Sequence, residues 1–192
     1  MSELPFSEYM TETDIVNEKE VEKDFILSFN YNKRVIREYK YFMKEMGKDD
    51  AITGVRITQP GADTLYWDVE IDGPVGSPYE GGVFELSCMF PFNYPNEPPR
   101  INFKTQIYHP NVSSNGSICF NPLKTEIWQS NNFTTAVVLV GIRLLLADPT
   151  AEDPLNYEAG QLFLKDRNAF NQKAKEVTAQ FAMNKHSITI SD

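Results

Sequence analysis

Apolar positions recur at helical spacing from Asn32 to Met46, at Val35, Ile36, Tyr39, Phe42, Met43 and Met46. That period predicts an amphipathic helix, capped by Asn32 and ended by Gly47. The pattern then changes to short alternating runs. Ile52 to Thr58 alternates weakly, and Leu65 to Ile71 contains Trp67, Val69 and Ile71. Val83 to Phe90 sets Phe84, Leu86, Cys88 and Phe90 on one face, and Arg100 to Phe103 is short. Gly73-Pro74, Gly76, Gly81-Gly82, Pro91 and Pro95 punctuate these runs, so the four strands are expected as an antiparallel meander. From Thr134 to Leu146 the apolar content is nearly continuous. This predicts a buried central helix, capped by Thr134 and stapled by Phe133. Asn156 to Lys165 and Asp166 to Met183 read as two further helices, with Phe163, Phe170, Ala174, Val177 and Phe181 as core. Between Cys119 and Asn132 no period is visible, and the chain reads as irregular.

The class is therefore α+β, with one domain over residues 31–185. Residues 1–30 are acidic, broken by Pro5 and without a sustained apolar face, so a partly flexible extension is expected. Phe25, Ile26, Leu27 and Phe29 are too apolar for a plain tail; they dock on the domain or a partner, or simply extend the first helix. Residues 186–192 form a short tail. The chain shows no internal repeat.

Charge and composition then narrow the function. An apolar share of 41% permits a full core, and a net charge of −9 argues against binding a phosphate backbone. No basic segment followed by an apolar run marks a secretory signal, and no apolar run approaches the ~20 residues of a membrane helix. Two cysteines and two histidines do not supply a structural zinc set. A cytoplasmic or nuclear setting is expected, with Cys88 and Cys119 unpaired. Cys88 lies on the apolar face of its strand and reads as a buried, inert thiol.

The chemistry concentrates between Tyr108 and Cys119. Pro110 fixes its own φ and restricts His109, making a rigid His109-Pro110-Asn111 corner. Ser114-Asn115-Gly116 then reverses the chain and delivers Cys119. An amide at Asn111, folded back toward that thiol, suits a cysteine that carries an acyl group beside an oxyanion donor. The plainer readings are a core cysteine and an asparagine that braces its own loop. A Cys–His dyad with His109 as base is the reading of a cysteine hydrolase.

The spacing of His109-Pro110-Asn111 to Cys119 resembles the signature of ubiquitin-conjugating enzymes. So do Tyr79-Glu80-Gly81-Gly82-Val83-Phe84, Tyr94-Pro95-Asn96-Glu97-Pro98-Pro99, Trp128, and the run from Asp148 to Leu155. The resemblance covers residues 31 to 183 and implies the ubiquitin-conjugating fold, with an N-terminal helix, a four-stranded antiparallel meander, a central helix and two C-terminal helices. It implies that Cys119 accepts ubiquitin as a thioester from an activating enzyme and passes it to substrate lysine, usually with a ligase. Asn111 is then the oxyanion donor or loop-holder. Asp153 orients the incoming amine, the plainer reading being a helix cap. His109 braces the loop, Tyr108 packs beside it, and Asn121 stands where relatives often have Asp. Basic residues matching Lys33, Arg34 and Arg37 meet the activating enzyme. At the ligase platform Asn96 and Glu97 replace an apolar tip, and Ser130-Asn131-Asn132 replaces a Ser-Pro-Ala loop, which implies a dedicated ligase. No cofactor is expected on this chain. A carrier of a neddylation-type or SUMO-type modifier, or a non-catalytic ubiquitin-binding adaptor, are the alternatives.

Overall fold

The computed structural model describes residues 33–46, 54–60, 65–131 and 133–183. The N-terminal extension, the Asn32 cap, Gly47, the Ile52 start of the first strand and the C-terminal tail lie outside them.

Four strands form one antiparallel sheet in chain order: β1 (Val55–Pro60), β2 (Tyr66–Asp72), β3 (Val83–Met89) and β4 (Arg100–Phe103). The alternation fixes the register, because a one-residue slip would turn every apolar side chain to the wrong face. Val69 sits opposite Leu86 and Ile71 opposite Phe84. Leu86 faces Phe103 and Cys88 faces Ile101. These residues line the inner face and join one core with Val138, Leu139, Ile142 and Leu146 of the central helix. The outer face is charged: Arg56 grips Asp72 through two hydrogen bonds of 2.7 and 2.6 Å and donates to Glu70 at 3.2 Å.

Helix α1 (33–41) runs into a π turn at Phe42–Met46. Val35 and Phe42 are buried as the periodicity predicts, but Met43 faces solvent. The wider π turn carries Met43 off the buried stripe.

Two further differences bear on the site. The stretch after Cys119 is not irregular: Asn121–Leu123 is a 3-10 turn and α2 (Thr125–Asn131) follows it. Its one deep anchor is Trp128, whose indole N–H donates to the Pro95 carbonyl at 2.7 Å. A seven-residue helix with one anchor leaves no period to read. The central helix α3 (Thr135–Ala147) is capped by Thr134 as predicted, but it is buried on one side only. Val137 and Leu144 are exposed.

The chain closes with α4 (Tyr157–Lys165) and α5 (Arg167–Phe181). Asn156 and Asp166 cap them, accepting from the Ala159 and Ala169 amides. The end of α5 returns to the sheet, where the Val83 N–H donates to the Ala182 carbonyl at 3.1 Å.

Candidate active site

Three segments converge on Cys119. The corner 109–111 is set by His109, fully buried under the end of α3. His109 Nε2 lies 3.0 Å from the Leu145 carbonyl, and its Nδ1 accepts the Asn111 N–H at 2.9 Å. A carbonyl only accepts, so Nε2 carries the proton and Nδ1 the lone pair. Leu145 supplies one of the carbonyls that a helix end leaves without an internal partner. Burial pushes the His109 pKa down to about 4, against a smaller opposing effect of the Leu145 bond. The ring is neutral, both nitrogens are occupied, and none is left to deprotonate Cys119. The contacts seen are those of a brace between the corner and the end of α3.

The Ser114-Asn115-Gly116 reversal is observed. Gly116 has φ +86°, and a Cβ there would lie 2.1 Å from the Phe103 carbonyl, so only glycine fits. The turn returns the chain so that the Cys119 N–H donates to the Asn111 carbonyl at 2.8 Å. Cys119 is half-buried and free, whereas Cys88 is fully buried. Burial without compensation pushes the Cys88 thiol pKa well up, so Cys88 is not a nucleophile.

The third segment is the loop from Asp148 to Asn156. Asn111 holds it with its whole side-chain amide. Nδ2 donates to the Thr150 carbonyl at 2.7 Å and to the Thr150 hydroxyl at 2.8 Å, and Oδ1 accepts the Thr150 N–H at 2.9 Å. The backbone adds a second tie, from the Asn156 N–H to the Pro110 carbonyl at 3.0 Å. Of the two roles open to Asn111, the geometry seen is that of loop-holder. Thr150, which the sequence did not single out, is its partner. Asp153 lies three residues further along this held loop. It is exposed, and no described residue pairs with its carboxylate. The capping reading of Asp153 fails, because Asn156 caps α4. Asn121 opens the 3-10 turn and is exposed. Tyr108 is buried; its carbonyl accepts from the Tyr79 hydroxyl at 2.7 Å, and its own hydroxyl donates to Glu158 at 3.3 Å.

The partner candidates gather elsewhere. Lys33 and Arg37 are exposed on α1, and Lys40 and Lys44 continue the row at spacings of four, three and four. Arg34 differs: its Nε donates to Glu38 at 2.9 Å. Glu38 is buried, and its other oxygen accepts the Thr135 N–H at 2.9 Å. A carboxylate thus satisfies the first turn of α3, where the helix dipole favours negative charge. Arg34 is the counter-ion of that carboxylate before it is anything to a partner. Beside it, Arg34, Pro95, Asn96, Trp128, Gln129 and Phe133 line a groove of about 360 Å³. The Gln129 side chain donates to the Asn96 carbonyl at 2.8 Å, and Glu97 accepts from Asn93 at 2.6 Å. The proline-rich loop and α2 are therefore stitched into one polar platform.

Among the described residues, no group of three or more His, Cys, Asp or Glu is placed to hold a metal ion, and no helix is long and apolar enough to cross a membrane. A family model described as ubiquitin-conjugating enzyme matches residues 34–178. The chain is 50% identical over 128 residues to a protein of Arabidopsis thaliana named probable ubiquitin-conjugating enzyme E2 31. That alignment covers 67% of this chain and 82% of the relative.

Proposed function

The chain belongs to the ubiquitin-conjugating enzyme family, transferases that work through a cysteine thioester, and on that premise we propose that Cys119 carries ubiquitin and delivers it to lysine. Charging exchanges one thioester for another: the Cys119 sulfur bonds to the acyl carbon, the activating enzyme's sulfur leaves, and the proton passes from thiol to thiol. The bond type is unchanged, so the step is close to balanced. Discharge forms an amide and returns the proton to Cys119, which is downhill. The observation that carries the assignment is the contrast between the two thiols. Cys119 is half-exposed at the meeting of three tied loops, and Cys88 is sealed in the sheet. Asn111 holds the loop that carries Asp153, and Asp153 orients the acceptor amine.

A charging panel tests this reading. Activating enzymes for ubiquitin, the neddylation modifier and the SUMO-type modifier are each supplied with their own modifier, ATP and the chain. The expected result is a reducible adduct with ubiquitin. Charging with another modifier alone moves the protein to that branch, and no charging at all returns the adaptor reading. Repeating discharge with several unrelated RING domains tests the polar platform. Weak stimulation by each is expected, since apolar anchors dominate such interfaces; strong stimulation by several overturns the dedicated-ligase reading.

The activating enzyme is proposed to meet the exposed basic row of α1. Arg37→Glu with Lys40→Glu is expected to slow charging roughly tenfold at low salt, and salt is expected to slow the wild type, as screening predicts. Arg34 is left intact in this test, because its reversal would strand the buried Glu38 carboxylate and confound binding with folding. Normal charging by the double variant makes the row a solvated face.

A further inference from the structure

Between β2 and β3 the chain turns tightly, and Tyr79 lies in that turn. Its backbone is locked to the sheet. The Tyr79 carbonyl accepts the Gly82 N–H at 3.0 Å, and the Gly73 N–H donates to the Gly82 carbonyl at 2.8 Å. The Tyr79 N–H donates to the Ser77 hydroxyl at 3.2 Å. A Cβ at Gly73 would lie 1.7 Å from the Tyr79 carbonyl, so the turn sits directly on the end of β2. The ring is fully buried, edge-on to Phe84 at 5.9 Å and 5.7 Å from the His109 ring. A phenylalanine would fill this space as well. A buried hydroxyl costs stability unless it is bonded. This one donates to the Tyr108 carbonyl at 2.7 Å, 29 residues on. Burial pushes the phenol pKa well up, so the group stays a donor.

That carbonyl belongs to the peptide unit that enters His109. The unit is planar, so fixing its oxygen fixes the plane from which His109 departs. His109 in turn bonds the Leu145 carbonyl and the Asn111 N–H. Asn111 bonds Thr150 through its side chain, and its carbonyl accepts the Cys119 N–H. The corner is thus strutted on two sides, by His109 to α3 and by Tyr79 to the sheet. We propose that Tyr79 is a positioning residue for transfer: its hydroxyl holds the 108–109 peptide, and so sets Asn111, and the loop that Asn111 holds, relative to Cys119. This rests on Cys119 being the thioester carrier. Tyr79 touches no reacting atom; it acts through His109 and Asn111. Such residues matter because a misplacement of about 1 Å near a reacting centre can cost about 10²-fold in rate. Charging needs no oriented amine, so the effect falls on discharge.

The test is Tyr79→Phe, which removes the hydroxyl and keeps the ring. Discharge of the preformed thioester to saturating free lysine, without ligase, is expected to slow roughly fivefold, the equivalent of about one hydrogen bond. Charging is expected to stay nearly unchanged. Asn111→Ala and the double variant are run beside it. The double variant should discharge no slower than Asn111→Ala alone, since residues acting through one another are not additive. Val55→Ala, a truncation in the core at β1, controls for stability; it should lower the melting temperature at least as far and still discharge normally. Nitrogen NMR of the His109 ring gives a second readout. In Tyr79→Phe the Nδ1 resonance is expected to move toward that of an unbonded nitrogen, with Nε2 still protonated. Wild-type discharge by Tyr79→Phe overturns the inference alone. So does an unmoved Nδ1 resonance, a defect that multiplies with that of Asn111→Ala, or one that Val55→Ala reproduces. Failure of the wild type to form any thioester overturns the carrier reading, and this inference with it.

Discussion

Cys119→Ala is expected to abolish the reducible adduct entirely, the largest effect any single substitution in this chain should produce. The reasoning is chemical. A thioester needs a sulfur nucleophile, and the described cysteines are Cys119 and Cys88. Cys88 faces Trp67 on β2 and Ile101 on β4 and has no exposed surface. Its environment raises its pKa and suppresses the thiolate. An acyl group also has no route to a side chain on the inner face of a sheet. Cys119→Ser should instead accumulate an adduct that survives reducing agent, since an oxyester is less reactive toward amines and is not cleaved by thiol reductants. Cys88→Ser should still charge, though burying an unpaired hydroxyl costs about 1–3 kcal/mol of stability. Its melting temperature is therefore measured beside its charging. Gel shift with and without reductant reads all three variants. A normal reducible adduct on Cys119→Ala removes Cys119 from the mechanism.

How much of this was legible depended on the range of the signal. Strand positions, the central helix and the glycine reversal were readable, because alternation, period and Asn115-Gly116 are local features with local causes. What the side chains of the site do was less so, because their partners are far along the chain. His109 finds Leu145 36 residues on, Asn111 finds Thr150 39 residues on, and Glu38 finds Thr135 97 residues on. Nothing at Thr150 marks it as the partner of an amide beside the thiol. Arg34 looked like its neighbours Lys33 and Arg37, and only burial of Glu38 separates it from them. Helix α2 escaped notice for the opposite reason. It is local, but it is too short to display a period and is held by long-range hydrogen bonds from Trp128 and Gln129 to the proline-rich loop. The central helix looked buried all round because its exposed side is also apolar, at Val137 and Leu144. Composition does not distinguish an apolar face turned to the core from one turned to solvent.

Asp153→Ala is expected to leave charging nearly intact and to slow discharge to lysine about a hundredfold at pH 7. Charging passes an acyl group between thiols and needs no neutral amine. Discharge does: a lysine of pKa ~10.4 must lose its proton, which costs ~4 kcal/mol near pH 7.3. A carboxylate that holds the ammonium and favours that loss recovers part of the cost, and general-base contributions of this kind run to about 10²–10⁴ in rate. Above pH 10 hydroxide does the same work, so the gap to the wild type should close. Asn111 acts upstream of this in the structure, because its amide is spent on Thr150 and so on the loop that presents Asp153. Asn111→Ala should therefore also discharge slowly, with a defect that likewise narrows at high pH. The double variant should be little worse than the slower single variant, since residues acting through one another are not additive. An oxyanion role predicts otherwise: a loss of about 10²–10³ that persists at every pH and multiplies with that of Asp153→Ala. Single-turnover discharge of the preformed thioester from pH 7 to 10, corrected for hydrolysis in lysine-free controls, separates the two. A persistent and multiplicative Asn111 defect means that Nδ2 leaves Thr150 during the reaction to meet the oxyanion. Wild-type discharge by Asp153→Ala throughout leaves the carboxylate a bystander on a loop that Asn111 holds for some other end.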